Sequence, residues 1–329
     1  MPQPSYTYAN ARLAALSKRL VDSQTIQRMA DGSLSDALRT LQDLRYGGMS
    51  DGNDTNIEQL ISAERAEAAN EIRSLSPNPA FTDLFLFQTD IQNLKILVKA
   101  RLLGLSECAC AEGGIFTADH LREMVKEQSY SELPMPIADA LRGLEKSLQA
   151  KSDPQQISVS LDRAYYAYAL QTSRSDAVLM QYFRASCDFD NLLTFLRVRA
   201  MGGSKEMLDD LLLPEGGIRK AQLTESFDLS FEALNKILAA SVCKAQLLAG
   251  LNAMQRTGNI GEVEKARDNY LISLFSSHQY ETESIYPIIG YYLAKEREGK
   301  AIRLIITAKR NSLPDSVIAE RLVTLYGER

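Results

Sequence analysis

The chain has 329 residues, a net charge of −5 and a pI near 5.4, a balance that argues against nucleic acid as its main partner, because phosphate binding needs a concentrated basic surface. Apolar residues make up 45% of it, enough to bury a core without disulfides or metals. No apolar run approaches the about 18 residues that a membrane span requires.

The opening stretch MPQPSYTYANARLAAL lacks the basic-then-apolar order of a secretion signal. With Cys108, Cys110, Cys187 and Cys243 as its only cysteines, the chain is expected to be cytoplasmic with reduced thiols. Cys108 and Cys110 stand too close for a zinc knuckle and have no second pair. Ala, Leu, Arg, Glu, Lys and Gln dominate, and period-two alternation is rare, so the pattern predicts an all-α fold. Breakers divide the helices at Tyr46–Asn56, Ser76–Pro79, Glu132–Asp139, Lys151–Gln156, Leu212–Ile218 and Asn311–Ser316. Ser152 and Asp153 ahead of Pro154 read as a cap followed by Pro at the first helical position. Asn53-Asp54-Thr55 matches a glycosylation acceptor, without consequence where no secretion signal precedes it.

One sentence of the chain is written twice. DIQNLKILVKARLLG (Asp90–Gly104) returns as DFDNLLTFLRVRAMG (Asp188–Gly202), with the acid, Asn, Leu, Arg and Gly at matching places. EGKAIRLIITAKRNS supplies a third copy, with Glu298 in the acid place, Ala301 in the Asn place and Lys309 opposite Arg101 and Arg199. The trios Leu94/Leu97/Val98, Leu192/Phe195/Leu196 and Ile302/Ile305/Ile306 each fall on one helical face. The string EGGI follows the first two copies, at Glu112–Ile115 and Glu215–Ile218, and reads as a turn needing positive φ. The copies lie much further apart than the roughly 20–50 residues of a solenoid repeat. They predict three similar helical units, residues 1–116, 117–219 and 220–329, in a ring or funnel where similar surfaces meet through similar contacts.

Catalytic patterns are missing. His120 and His278 have no partners at metal or triad spacing, and GGSK (Gly202–Lys205) lacks the frame of a phosphate loop. Catalytic, cofactor-binding and metal residues are therefore predicted as none. Asp90, Asp188 and Glu298 read as first-turn acids, and Arg101, Arg199 and Lys309 as last-turn bases, offsetting the helix dipole. The three bases are also the candidates for a charged surface that meets a partner. Asn93 and Asn191 have poor helix propensity and are expected to tie the helix to neighbouring segments. Lys295–Arg310 is a basic amphipathic stretch that could lie on lipid or an acidic partner, or present a solvated outer face. The tyrosines at 165, 166 and 168 suit interior helix packing as well as an interface.

At these same residues the chain resembles the C subunit of the prokaryotic V-type (A-type) ATPase/ATP synthase, called the d subunit in the eukaryotic vacuolar enzyme. YTYANARLAAL (Tyr6–Leu16), LRTLQDLRYGG (Leu38–Gly48), the two Asp-x-x-Asn-Leu helices and PIIGYYLAKEREGKAIRLIITAKRNSLPDSVIAERL (Pro287–Leu322) carry the likeness, in order along nearly the whole chain. Ala301 departs from it, since the family usually has Asn there. The resemblance implies an all-helical funnel of three similar units, monomeric in isolation. It implies a central-stalk rotor subunit, without catalysis, cofactor or nucleic acid. Its partners would be the shaft subunits D and F and the proteolipid rotor ring on the cytoplasmic face of the membrane. A helical scaffold binding soluble partners through a concave surface is the alternative, and an enzyme with an unrecognised site is the third reading.

Overall fold

The computed structural model describes residues 4–48, 56–105, 108–148, 154–214, 216–322 and 325. The chain folds into α1 (Tyr6–Leu16), α2 (Ser23–Asp31), α3 (Leu34–Asp43), α4 (Ile57–Leu75), α5 (Pro79–Leu102), α6 (Ala118–Glu127), α7 (Met135–Leu148) and α8 (Pro154–Thr172). There follow α9 (Ala177–Ala200), α10 (Lys205–Leu211), α11 (Lys220–Glu225), α12 (Phe231–Leu238), α13 (Lys244–Thr257), α14 (Gly261–Ser276), α15 (Tyr286–Arg310) and α16 (Asp315–Arg321). No strand forms among the described residues, and the fold is all-α.

Local chemistry sets many of the boundaries. Ser5, Asp22, Ser33, Asn56, Thr117, Asp176, Ser204 and Ser230 each stand at a helix N-cap and accept a backbone N–H of the first turn, which satisfies a donor that the helix cannot. Ser33 and Asp36 form a reciprocal capping box. Pro79 and Pro154 open α5 and α8, where a missing N–H costs nothing. The break expected over Glu132–Asp139 is shorter than that, because α7 already begins at Met135 and holds Pro136 in its first turn. The acceptor Asn53-Asp54-Thr55, the cap at Ser152 and Asp153, and Glu215 lie outside the described residues.

Two compact units divide the chain. The first comprises residues 1–89, 111–115 and 272–329. Its core gathers Ile26 and Met29 of α2, Leu41 of α3, Ile57 and Ile61 of α4, and Ile302, Ile305 and Ile306 of α15, with Ile318 of α16 closing it. The second comprises residues 90–110 and 116–271. There the trios Leu94/Leu97/Val98 and Leu192/Phe195/Leu196 are buried, and Phe195 meets Phe227 edge-on at 5.6 Å. Burying each such side chain stabilises by about 1.5–3 kcal/mol. Tyr165 and Tyr166 are interior as well, with Tyr165 edge-on to Phe183.

The stretch Lys295–Arg310 keeps a narrow solvated stripe at Lys300, Arg303, Thr307 and Arg310, and its other sides are packed. Lys295, Arg297 and Glu298 are all buried in the middle of α15. Arg303 forms a two-pronged pair with Glu58 at 2.7 Å on each arm. Lys295 and Arg303 pair with acids of this chain, so the stretch takes the alternative form, a solvated outer face over a buried inner one, rather than lying on lipid. The periodicity showed one apolar face, and ion pairing allowed much of the charged face to be buried too.

Candidate functional site

The repeated residues perform the same task three times. Their acids do not sit in first turns. Asp90, Asp188 and Glu298 lie near the middle of α5, α9 and α15, which begin at Pro79, Ala177 and Tyr286. A helix dipole acts within its first and last turns only, so the dipole reading of the acids is corrected. Helix-forming residues ahead of each acid carry the helix back, and a comparison that starts at the acid hides them.

All three acids are buried, at 0%, 0% and 1% exposure. Each takes a backbone N–H at the entry to a short helix. Asp90 Oδ1 accepts from Phe116 N at 3.3 Å, one residue before the Thr117 cap of α6. Asp188 accepts from Gly217 N at 2.9 Å and Ile218 N at 3.1 Å, just before α11, and from Ser241 Oγ at 2.5 Å. Glu298 Oε2 accepts from Val21 N at 2.7 Å, one residue before the Asp22 cap of α2. A buried N–H without a partner is costly, so a carboxylate aimed at it fixes where the connecting segment must run.

The bases occupy the last turns of the same long helices, and there they bind carbonyl groups. Arg101 Nη1 donates to Val125 O in the last turn of α6 at 2.6 Å, while Nη2 donates to Glu145 at 2.5 Å. Arg199 Nη2 donates to Leu229 O, in the turn after α11, at 2.9 Å, and its guanidinium lies 5.1 Å from the Phe231 ring centre. Lys309 Nζ donates to Ala30 O at 2.7 Å in the last turn of α2, and also to Gly32 O. The last carbonyls of a helix have no internal partner, and a cation suits them. α5 and α15 thus hold α6 and α2 from both ends, with an acid at the entry and a base at the exit, while α9 holds the entry to α11 by its acid and the segment leading into α12 by its base.

The remaining repeat positions differ by copy. Asn191 Oδ1 accepts from Leu213 N at 2.7 Å and ties α9 to the segment after α10. Asn93 is buried in the same way, at 1% exposure. Ala301 belongs to the apolar core beside Ile302, so the third copy replaces a polar tie with packing. Gly113 of the first EGGI has φ +90°, a conformation glycine tolerates, and lies against α4. In the second copy the requirement is space: a Cβ on Gly216 would stand 2.3 Å from Arg184 O and 2.6 Å from Asp188 Oδ1.

Electrostatics explain how the buried charges persist. Burial pushes the Asp188 carboxyl above the usual range, opposed by the Ser241 hydroxyl and the Gly217 and Ile218 amides. Burial works against the charge of Lys295, yet the Glu298 and Glu64 carboxylates raise its pKa above the ordinary lysine value. Lys295 Nζ lies 2.8 Å from Glu64 and 2.9 Å from Glu298. Sequence reasoning missed Glu64, Val21 and Ser241, which contribute from elsewhere in the chain. The recurrence of EGGI was the one signal that pointed at a partner of the acids.

Nothing in this geometry positions a reacting atom. His120 pairs with Glu132 at 3.1 Å and His278 with Glu281 at 2.5 Å. Among the described residues no group of three His, Cys, Asp or Glu side chains could hold a metal ion. None of their helices is long and apolar enough to cross a membrane.

The sequence pattern of the ATP synthase (C/AC39) subunits matches residues 9–321. The C subunit of the V-type sodium ATPase of Enterococcus hirae is 23% identical over 98% of this chain and 99% of its own. The C subunit of the A-type ATP synthase of Desulfurococcus sp. is 26% identical over 98% and 91%. That of Methanocaldococcus jannaschii is 24% identical over 97% and 86%. With that pattern covering nearly all of its length, the chain belongs to the ATP synthase (C/AC39) subunit family.

Proposed function

We propose that this chain is the rotor subunit of a V/A-type ATPase that joins the central shaft to the membrane ring, coupling ATP turnover to proton or sodium transport without catalysis of its own. The observation that carries the reading is the family match over residues 9–321. The repeats add a physical reason: torque needs a body that does not yield, and short segments tied to the long helices by buried acids and last-turn bases resist sliding. In this reading residues 1–116, 117–219 and 220–329 form three similar units of a funnel. The shaft subunits D and F enter its cavity, and its base rests on the proteolipid ring at the cytoplasmic face.

Depletion of the chain from its host tests the proposal. The soluble head should keep hydrolysing ATP while ATP-driven ion uptake into membrane vesicles falls to background, and the restored gene should return it. Uptake that persists at full rate without the chain would refute the coupling role.

The three repeated bases bear on where partners bind. Their charged ends are held by acceptors of this chain. The triple change Arg101→Ala, Arg199→Ala and Lys309→Ala should lower stability modestly, by about 1 kcal/mol for each side chain, and leave binding to the shaft and ring in place. Lost binding with an unchanged unfolding midpoint would instead make them a partner surface.

A further inference from the structure

A groove of about 1070 Å³ is lined by α7, α8 and α10, wholly within the second compact unit. Helix periodicity builds its walls. Ala140 and Gly143 of α7 stand three residues apart, and Val159, Arg163 and Ala167 of α8 stand four apart, so each set shares a face. The two helices pack on each other, and α10 adds Met207 and Leu211. Val159, Met207 and Leu211 are only half-buried, so apolar surface stays open to a ligand.

A fixed cation belongs to this apolar wall. Arg163 donates from Nε to Leu212 O at 2.8 Å, and from Nη2 to Asp209 O and Asp210 O at 3.1 Å each. These carbonyls at the end of α10 hold the guanidinium in place. Its partners are backbone oxygens, and no carboxylate among the described residues forms an ion pair with it. Nη1 therefore keeps its donors for a further acceptor. Asp210 is the other charged residue of the lining, and it is exposed, where water and salt screen it.

Small-molecule sites have this make-up: a concave and largely apolar wall, a volume of about 300–1,000 Å³, and a few polar groups that fix orientation. A guanidinium held from behind suits a carboxylate, which it meets with charge-assisted hydrogen bonds. The apolar wall suits an alkyl chain rather than a compact polar anion. We propose that the groove binds a free fatty acid, with its carboxylate on Arg163 and its tail against Val159, Met207 and Leu211.

The test is isothermal titration calorimetry of the full chain with sodium dodecanoate, kept below its micelle concentration. The proposal expects saturable binding of one molecule per chain. Dodecylamine has the same tail and the opposite charge, and it should bind about tenfold more weakly or worse, the scale of a lost charge-assisted hydrogen bond. Octanoate should also bind about tenfold more weakly or worse, since each buried CH2 is worth roughly fourfold in affinity. Arg163→Met should bring dodecanoate down to the level of dodecylamine. Because that change also frees the end of α10, Gly143→Leu is the second variant. A Cβ on Gly143 meets nothing within 4 Å, and leucine is the better helix former, so the chain should fold with a filled groove and bind dodecanoate about tenfold more weakly or worse. Dodecanoate that does not saturate, that binds no better than dodecylamine, or that binds Gly143→Leu unchanged would overturn the proposal and leave the groove to a partner helix.

Discussion

Replacing Glu298 with alanine is expected to lower stability by about 3 kcal/mol or more, the scale of a broken buried ion pair. The carboxylate holds two buried donors, Val21 N and Lys295 Nζ. Glu64 remains to neutralise Lys295, so the loss falls near the lower end of that scale. Val21 N keeps no such substitute, and a buried N–H left unpaired costs about 1–3 kcal/mol by itself. Glu58→Ala is the matched control, since it also removes a partner of α15. That carboxylate is 62% exposed and its Arg303 partner 45%, so the change should cost under about 1 kcal/mol. Urea denaturation followed by circular dichroism separates the two. Equal costs would mean that the buried acid does not fix the entry to α2.

Asp188→Ala is the second large effect, again about 3 kcal/mol or more, because it strands the Gly217 and Ile218 amides and the Ser241 hydroxyl together. Asp188→Asn should recover little of it. An amide offers one acceptor oxygen, and its NH2 group would face further donors. Gly216→Ala should be damaging through the same site, since its Cβ would meet Arg184 O and Asp188. The carboxyl also gives a pH signature. Burial holds its pKa above the usual range, so the native state keeps a proton that the unfolded chain has already released. Wild-type stability therefore falls as pH rises across that window, and Asp188→Asn should remove that part of the slope. A variant with unchanged stability and slope would show that α9 does not hold α11 in this way.

The helical class was legible in composition and periodicity, and the buried trios at Leu94, Leu192 and Ile302 were legible in their spacing. What the repeated residues do was not. Val21 contributes only its backbone N–H, which no side-chain pattern marks, and it lies 277 positions from Glu298. The first two acids had a visible cue in the EGGI strings that follow them. The third had none, because its partner precedes it near the start of the chain. Its carboxylate shares the site with Lys295 and Glu64, two charged residues that sequence alone assigns to a solvated surface. The long helices also began earlier than the repeat suggested, which turned central acids into apparent first-turn acids. The bases were placed correctly in last turns, yet their targets, the carbonyls of α6 and α2 and of the turn after α11, are again backbone and silent in the sequence.

The most direct measurement is affinity purification of the tagged chain from gently solubilised membranes of its own host, with the recovered proteins identified by mass and assayed for ATP hydrolysis. A rotor subunit should bring down shaft and ring subunits together, in a complex that hydrolyses ATP. Recovery of soluble partners alone, from cells that contain an assembled rotary ATPase, would contradict the coupling role and leave a helical scaffold in its place.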